Sequence, residues 1–132
     1  MPATTQSTTA LKYRGCLLLE PTARDQLGRL FEIHGLSGIT YAGKNTYWAE
    51  QDNSDKLVQL QIKLNADASI ASVSVLSGLA MSDNRDNEGI ALSPTGDSVF
   101  ISEEDTPGIH EYSLKDGRRL GSLQTPEVYL HK

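Results

Sequence analysis

Cysteine is almost missing from this chain, and that absence already narrows the possibilities. A single residue, Cys16, excludes an intrachain disulfide. No base stands near it in sequence, so it reads as a small buried hydrophobe rather than a nucleophile. Long apolar runs are missing too. The longest is Cys16-Leu17-Leu18-Leu19, far below the roughly 20 residues that a membrane-spanning helix needs. Residues 1–10 are rich in Thr and Ser but have no basic flank and no apolar stretch, so they do not read as a signal peptide. Positive charge is in deficit: 12 Lys and Arg stand against 17 Asp and Glu, a net charge of -5. Such a chain repels phosphate backbones, which argues against nucleic acid as a partner. No glycine-rich phosphate loop, zinc-ligand spacing or dinucleotide fingerprint is present.

What remains is a chain of 132 residues, the size of one ordinary domain. Its 38% hydrophobic and 22% charged residues give a globular balance, neither disordered nor membrane-embedded. The apolar pattern has period two. In Lys56-Leu57-Val58-Gln59-Leu60-Gln61-Ile62-Lys63-Leu64, four apolar residues from Val58 to Leu64 share one face, and Ala71-Ser72-Val73-Ser74-Val75 alternates as well. Strict alternation marks half-buried strands. Turn signals separate the runs at Ala42-Gly43-Lys44-Asn45, Pro94-Thr95-Gly96-Asp97, Thr106-Pro107-Gly108 and Lys115-Asp116-Gly117. The pattern predicts strands over 15–20, 27–34, 37–42, 46–51, 57–64, 70–77, 88–93, 98–103, 108–114 and 119–124, an all-β chain.

An internal repeat refines the architecture. Ser37-Gly38-Ile39-Thr40-Tyr41 matches Glu88-Gly89-Ile90-Ala91-Leu92, and Leu57-Val58-Gln59-Leu60 matches Ile109-His110-Glu111-Tyr112. Between them, Thr46-Tyr47-Trp48-Ala49-Glu50-Gln51-Asp52 matches Ser98-Val99-Phe100-Ile101-Ser102-Glu103-Glu104. The offset is 51 positions at Gly38 and 52 at Leu57, so one inserted residue in the Ser93–Gly96 turn accounts for the difference. A four-stranded unit of this length is a propeller blade. The expectation is a partial β-propeller: a flexible leader at 1–14, a half blade at 15–34, blades at 35–77 and 78–125, and a tail at 126–132. A β-sandwich with chance similarity between two hairpins is the alternative. Two and a half blades do not close a ring. Identical chains completing the ring as a homo-oligomer are therefore the expected partners, because exposed apolar sheet faces invite association.

Hairpin geometry places candidate chemistry at one rim. The start of one strand lies beside the end of the next antiparallel strand, so Asp52, Asp86, Glu88 and Glu104 should face one end of the assembly. Clustered carboxylates raise one another's pKa unless a cation intervenes. Carboxylate oxygens of this kind suit Ca2+, which accepts flexible oxygen coordination. The segment Ser82-Asp83-Asn84-Arg85-Asp86-Asn87-Glu88 adds oxygen donors, though it lacks an EF-hand frame. A solvated acidic loop with Asx turns is the competing reading. Ser37 is not in a Gly-x-Ser-x-Gly elbow and reads as a strand-opening residue. Arg24 and Arg85 could contact an anionic ligand, with a surface role the plainer reading of Arg85. His110 sits mid-strand in poor metal context.

These elements resemble a known group. Leu36-Ser37-Gly38-Ile39-Thr40-Tyr41, Glu50-Gln51-Asp52-Asn53-Ser54, Arg85-Asp86-Asn87-Glu88-Gly89-Ile90-Ala91, Ser102-Glu103-Glu104 with Pro107, and Asp116-Gly117-Arg118 with Pro126 follow a recurring order. The order is similar to the opening part of the phytase-like, esterase-like β-propeller proteins of bacteria, over about Gly15 to Tyr129. The resemblance implies an extracellular or periplasmic propeller that hydrolyses phosphate or carboxyl esters, with an anionic small-molecule ester as substrate and Ca2+ as cofactor. By position, Asp52, Asp86, Glu88 and Glu104 match the family's acidic rim. The family's later blades have no counterpart here, so residues they supply cannot be carried over, and an inactive fragment is a second expectation. A third is a non-catalytic module that binds a ligand or a protein.

Overall fold

The computed structural model describes residues 8–84, 86–104 and 107–127. Ten strands follow one another: β1 (Thr22–Arg24), β2 (Leu30–Glu32), β3 (Leu36–Gly43), β4 (Thr46–Gln51), β5 (Lys56–Leu64), β6 (Ile70–Ala80), β7 (Asn87–Leu92), β8 (Ser98–Glu103), β9 (Gly108–Ser113) and β10 (Arg119–Leu123). They form an antiparallel pair, β1-β2, and two four-stranded sheets, β3-β4-β5-β6 and β7-β8-β9-β10, in which chain neighbours are also sheet neighbours. Both larger sheets are antiparallel throughout. The all-β reading holds. No helix among the described residues is long and apolar enough to cross a membrane.

Local chemistry sets the hairpins. Between β3 and β4, Gly43, Lys44 and Asn45 all have positive φ, and Thr46 Oγ1 donates to the Gly43 carbonyl. Such φ values suit glycine and asparagine and close two-strand turns tightly. Gly117, at φ 77, is another position where glycine is required: a Cβ there would overlap the Ala80 carbonyl. That contact joins the β9–β10 turn to the end of β6, and the Ser82 N–H donating to the Gly117 carbonyl at 2.9 Å seals it.

The sheets stack face to face. Trp48, Leu57, Leu79 and Met81 from the first sheet and its end meet Val99, Ile101 and Tyr112 of the second in one buried cluster. On the opposite face of the first sheet, Ala49, Val58 and Leu60 form a second cluster, with Phe31 and Leu19 packed against it. Fully burying a side chain such as Leu57 contributes about 1.5–3 kcal/mol, so the two clusters hold three layers together. Gly78 shows how close the first layer comes: a Cβ there would collide with the Phe31 ring.

The two large sheets share a feature of register. Each large sheet opens with the same irregularity, between Leu36 and Gly38 in β3 and between Asn87 and Gly89 in β7. Gly38 pairs with Glu50 and Gly89 with Ser102. Trp48 therefore corresponds to Phe100, and Leu57 to Ile109. Trp48 and Leu57 lie under the second sheet, while Phe100 and Ile109 line the second sheet's outer face.

Three expectations are corrected. Residues 15–20 form no strand; the first strand is Thr22–Arg24. The run Leu17-Leu18-Leu19 has no pairing partner, and only Leu19 reaches a core cluster while Leu18 is 96% exposed. Cys16 is exposed, because it belongs to that same unpaired segment. The strand expected from residue 27 begins only at Leu30: Asp25 Oδ1 accepts the N–H groups of Leu27 and Arg29 and turns the chain there. The residues 1–7 of the expected leader, the tail residues 128–132, Arg85 and Thr106 lie outside the described residues.

Candidate cation site

The rim acids converge where the two sheets meet. Asp52 follows β4, and its N–H donates to the Gly35 carbonyl at 2.8 Å. Asp86 and Glu88 flank Asn87, the first residue of β7. One carboxylate oxygen from each of Asp52, Asp86 and Glu88 lies within 4.8 Å of the other two, with Asp52 and Asp86 half-buried and Glu88 exposed. Glu104, just past β8, is not one of the three but lies close enough to Glu88 to push that carboxyl's pKa up. Of the four acids expected at one rim, Asp52, Asp86 and Glu88 form the close cluster, and Glu104 stands beside Glu88 outside it.

A buried clamp holds the two halves of this cluster. The Asn87 side chain is fully buried, and its Nδ2 donates to the carbonyls of Gln51 at 2.9 Å and Ser54 at 2.8 Å. Those carbonyls bracket Asp52 in sequence, so the turn that carries Asp52 is tied to the residue between Asp86 and Glu88. Gln51, also buried, accepts the His34 N–H on Oε1 and donates to Ser54 Oγ.

Sequence reasoning missed a fifth acid. Glu50 is fully buried. It alternates onto the face that carries Trp48, between the sheets. Ser37 Oγ donates to Glu50 Oε1 at 2.8 Å and also reaches the Asn87 carbonyl at 3.3 Å. Gly38 makes room: a Cβ there would press on Glu50 Oε1 at 2.6 Å. Glu50 Oε2 and Asn87 Oδ1 have no hydrogen-bond partner and no exposure. The usable signal was the alternation itself, since Trp48 and Glu50 share a face.

Electrostatics match the crowding. Burial pushes the Glu50 carboxyl above the usual range; the Ser37 hydrogen bond opposes this, and the charges of Glu88 and Asp52 add to it. Glu88 is also raised, first by its hydrogen bond with Glu104, then by partial desolvation and by the charges of Glu104, Asp52 and Asp86. Among the described residues, ion pairs join Arg29 to Asp25, Lys56 to Asp55, and His110 and Arg119 to Glu103. None involves Glu50, Asp52, Glu88 or Glu104. The rim concentrates negative charge beside unsatisfied buried oxygens, an arrangement compatible with a metal ion.

The other candidates lie apart from this chemistry. Ser37 is the second residue of β3, one place after the strand's start at Leu36, and its hydroxyl serves Glu50. Arg24 Nη1 donates to the Gly28 carbonyl within its own hairpin. His110 Nδ1 bonds Ser122 Oγ across β9 and β10.

Fold and rim together define a class: all-β proteins of antiparallel four-stranded sheets with an acidic cluster where two consecutive sheets meet. The family model for the phytase-like group, described as esterase-like activity of phytase, matches residues 32–132. The chain belongs to the phytase-like family. The match takes in both large sheets and the entire acidic rim, but starts beyond the β1–β2 turn rather than near Gly15. No curated protein matches the chain.

Proposed function

We propose that this chain is the cation-binding part of a phytase-like propeller that hydrolyses anionic phosphate or carboxyl esters, with Ca2+ held by Asp52, Asp86 and Glu88 and with Glu104 at the margin. The observation that carries this reading is the convergence of three carboxylates within 4.8 Å of one another. Beside them stand two buried oxygens without partners, on Glu50 and Asn87. Buried polar atoms of this sort normally have a water or ion as partner. Flexible oxygen-rich coordination favours Ca2+ over Mg2+, which demands stricter geometry. When bound, the cation supplies positive charge against an anionic ester and the capacity to acidify water. The chain's own acids, Asp52, Asp86 and Glu88, would hold it where the two sheets meet.

Calcium titration monitored by Tm tests the metal: a rise in Tm at millimolar Ca2+ supports the site, and no shift leaves a solvated acidic loop. Hydrolysis of a chromogenic phosphate and of a short-chain ester tests the activity. Loss of turnover in Asp86→Ala combined with Glu88→Ala supports the reading; unchanged turnover removes these residues from the mechanism.

A second reading rests on a different observation. The outer face of the second sheet is an open apolar groove of about 440 Å³ lined by Gly89, Ala91, Phe100, Ser102, Ile109 and Leu123. By register it corresponds to the face of the first sheet that the second sheet covers. A non-catalytic binding module that assembles with identical chains would use this face. Solution mass separates the cases: a stable monomer contradicts ring assembly.

A further inference from the structure

We infer that Asn87 is the positioning residue of the cation site, the clamp that brings the Asp52 half and the Asp86–Glu88 half within coordinating distance. This rests on the proposed cation reading. The ligands come from the ends of two sheets, which pack through the shared buried cluster and the Ser37–Asn87 and Thr40–Leu92 hydrogen bonds. The Asn87 side chain adds the tie that reaches the Asp52 turn itself. It stands between Asp86 and Glu88 in sequence, is fully buried, and spends both Nδ2 hydrogens on the carbonyls of Gln51 and Ser54, on either side of Asp52. The orientation of the amide is dictated by its partners: turned over, its oxygen would face two carbonyl oxygens. The backbone carbonyl of Asn87 in turn accepts the Ser37 hydroxyl, which also holds the buried Glu50 carboxylate.

The inference has a chemical corollary. Asn87→Asp keeps the shape, adds negative charge to the rim and removes both donors. If charge alone governed the site, this change would tighten cation binding; if the clamp governs it, binding weakens. Substitution of groups that orient metal ligands typically costs about 10- to 100-fold in affinity.

The test is Ca2+ titration calorimetry on the full chain and its Asn87→Ala and Asn87→Asp variants, with Asn84→Ala as control. Asn84 is also buried but donates to Glu103 rather than to the carbonyls around Asp52, so its loss removes a buried hydrogen bond while leaving the tie to the Asp52 turn in place. We expect both Asn87 variants to bind at least about tenfold more weakly, while Asn84→Ala keeps the native affinity at a reduced Tm. Native affinity in Asn87→Ala, or tighter binding in Asn87→Asp, overturns the clamp. An equal loss in Asn84→Ala also overturns it, by making the effect one of general stability. A parent chain that binds no Ca2+ sinks the underlying reading and not the clamp alone. Should the Asn87 variants fail to fold, the parent chain decides. In ¹⁵N spectra with Ca2+ bound, the Asn87 side-chain amide protons should exchange slowly with solvent, and fast exchange contradicts the clamp.

Discussion

The two large sheets share one backbone plan but divide the rim chemistry differently. Both begin with a one-residue irregularity before a glycine, at Gly38 and at Gly89. In the first sheet a serine stands on the opening strand and a glutamate opposite it: Ser37 and Glu50, hydrogen-bonded at 2.8 Å. In the second sheet the order is reversed, with Glu88 on the opening strand and Ser102 across from Gly89. The next pair differs as well. Gln51 accepts a backbone N–H from His34, whereas Glu103 gathers Asn84, Tyr112 and Arg119. Register is the shared property and rim charge the specialised one. The swap matters because the first sheet's glutamate is buried by the second sheet, while the second sheet's glutamate stays exposed and reaches the acids.

The largest expected effect comes from breaking the equivalence of the two inner faces. Leu57→Ala removes a fully buried side chain between the sheets and should cost about 2–5 kcal/mol. Its counterpart Ile109 is 38% exposed on the outer face, so Ile109→Ala should cost well under half as much, about 1 kcal/mol or less. Urea denaturation of both variants checks this. Equal losses would mean that the outer face is covered in solution.

Next in size is the polar counterpart of Leu60. Tyr112 is fully buried, donates to Glu103 Oε1 at 3.1 Å and accepts from Arg119 at 2.8 Å. Tyr112→Phe keeps the ring and leaves these partners short of a bond, a loss of about 1–3 kcal/mol. Thermal unfolding against the parent chain reads it.

The smallest effect is a difference in pH response. Glu50 and Glu88 have raised pKa values when folded, so the folded chain holds more protons than the unfolded chain between the ordinary glutamate range and those raised values. Without divalent cation, their contribution makes stability rise as pH falls through that window. Asp25 behaves oppositely. Burial would raise its pKa, but N–H bonds from Arg29 and Leu27 and the Arg29 guanidinium outweigh it and lower the value. Its stabilisation is full above the ordinary aspartate range and fades as pH falls through the lowered value. Glu50→Gln should flatten the first trend and raise Tm in cation-free buffer near neutral pH. A lower Tm there would show that the Glu50 carboxylate already has a partner.

How much of this was readable from residues alone depends on whether the determinant was local. Strands β3 to β10 were visible because period-two alternation and positive-φ turns such as Gly43-Lys44-Asn45 are local signals. The rim acids followed from hairpin arithmetic on the repeat. The leading segment failed because an apolar run without a pairing partner looks like a strand in one dimension: Leu18 is exposed although its neighbours read as core. Glu50 and Asn87 were missed because their roles depend on the second sheet lying over the first. Asn87 looked like one more oxygen donor in a polar loop, whereas its donors reach carbonyls 36 and 33 residues away.

The central claim is that two repeated sheets create one cation site at their shared rim. Ca2+ titration calorimetry of the parent chain beside Asp52→Ala and Asp86→Ala tests it most directly. The account predicts one Ca2+ per chain, with affinity falling sharply when an acid is removed from either sheet. Affinity that depends on Asp86 but not on Asp52, or no binding at all, would contradict it.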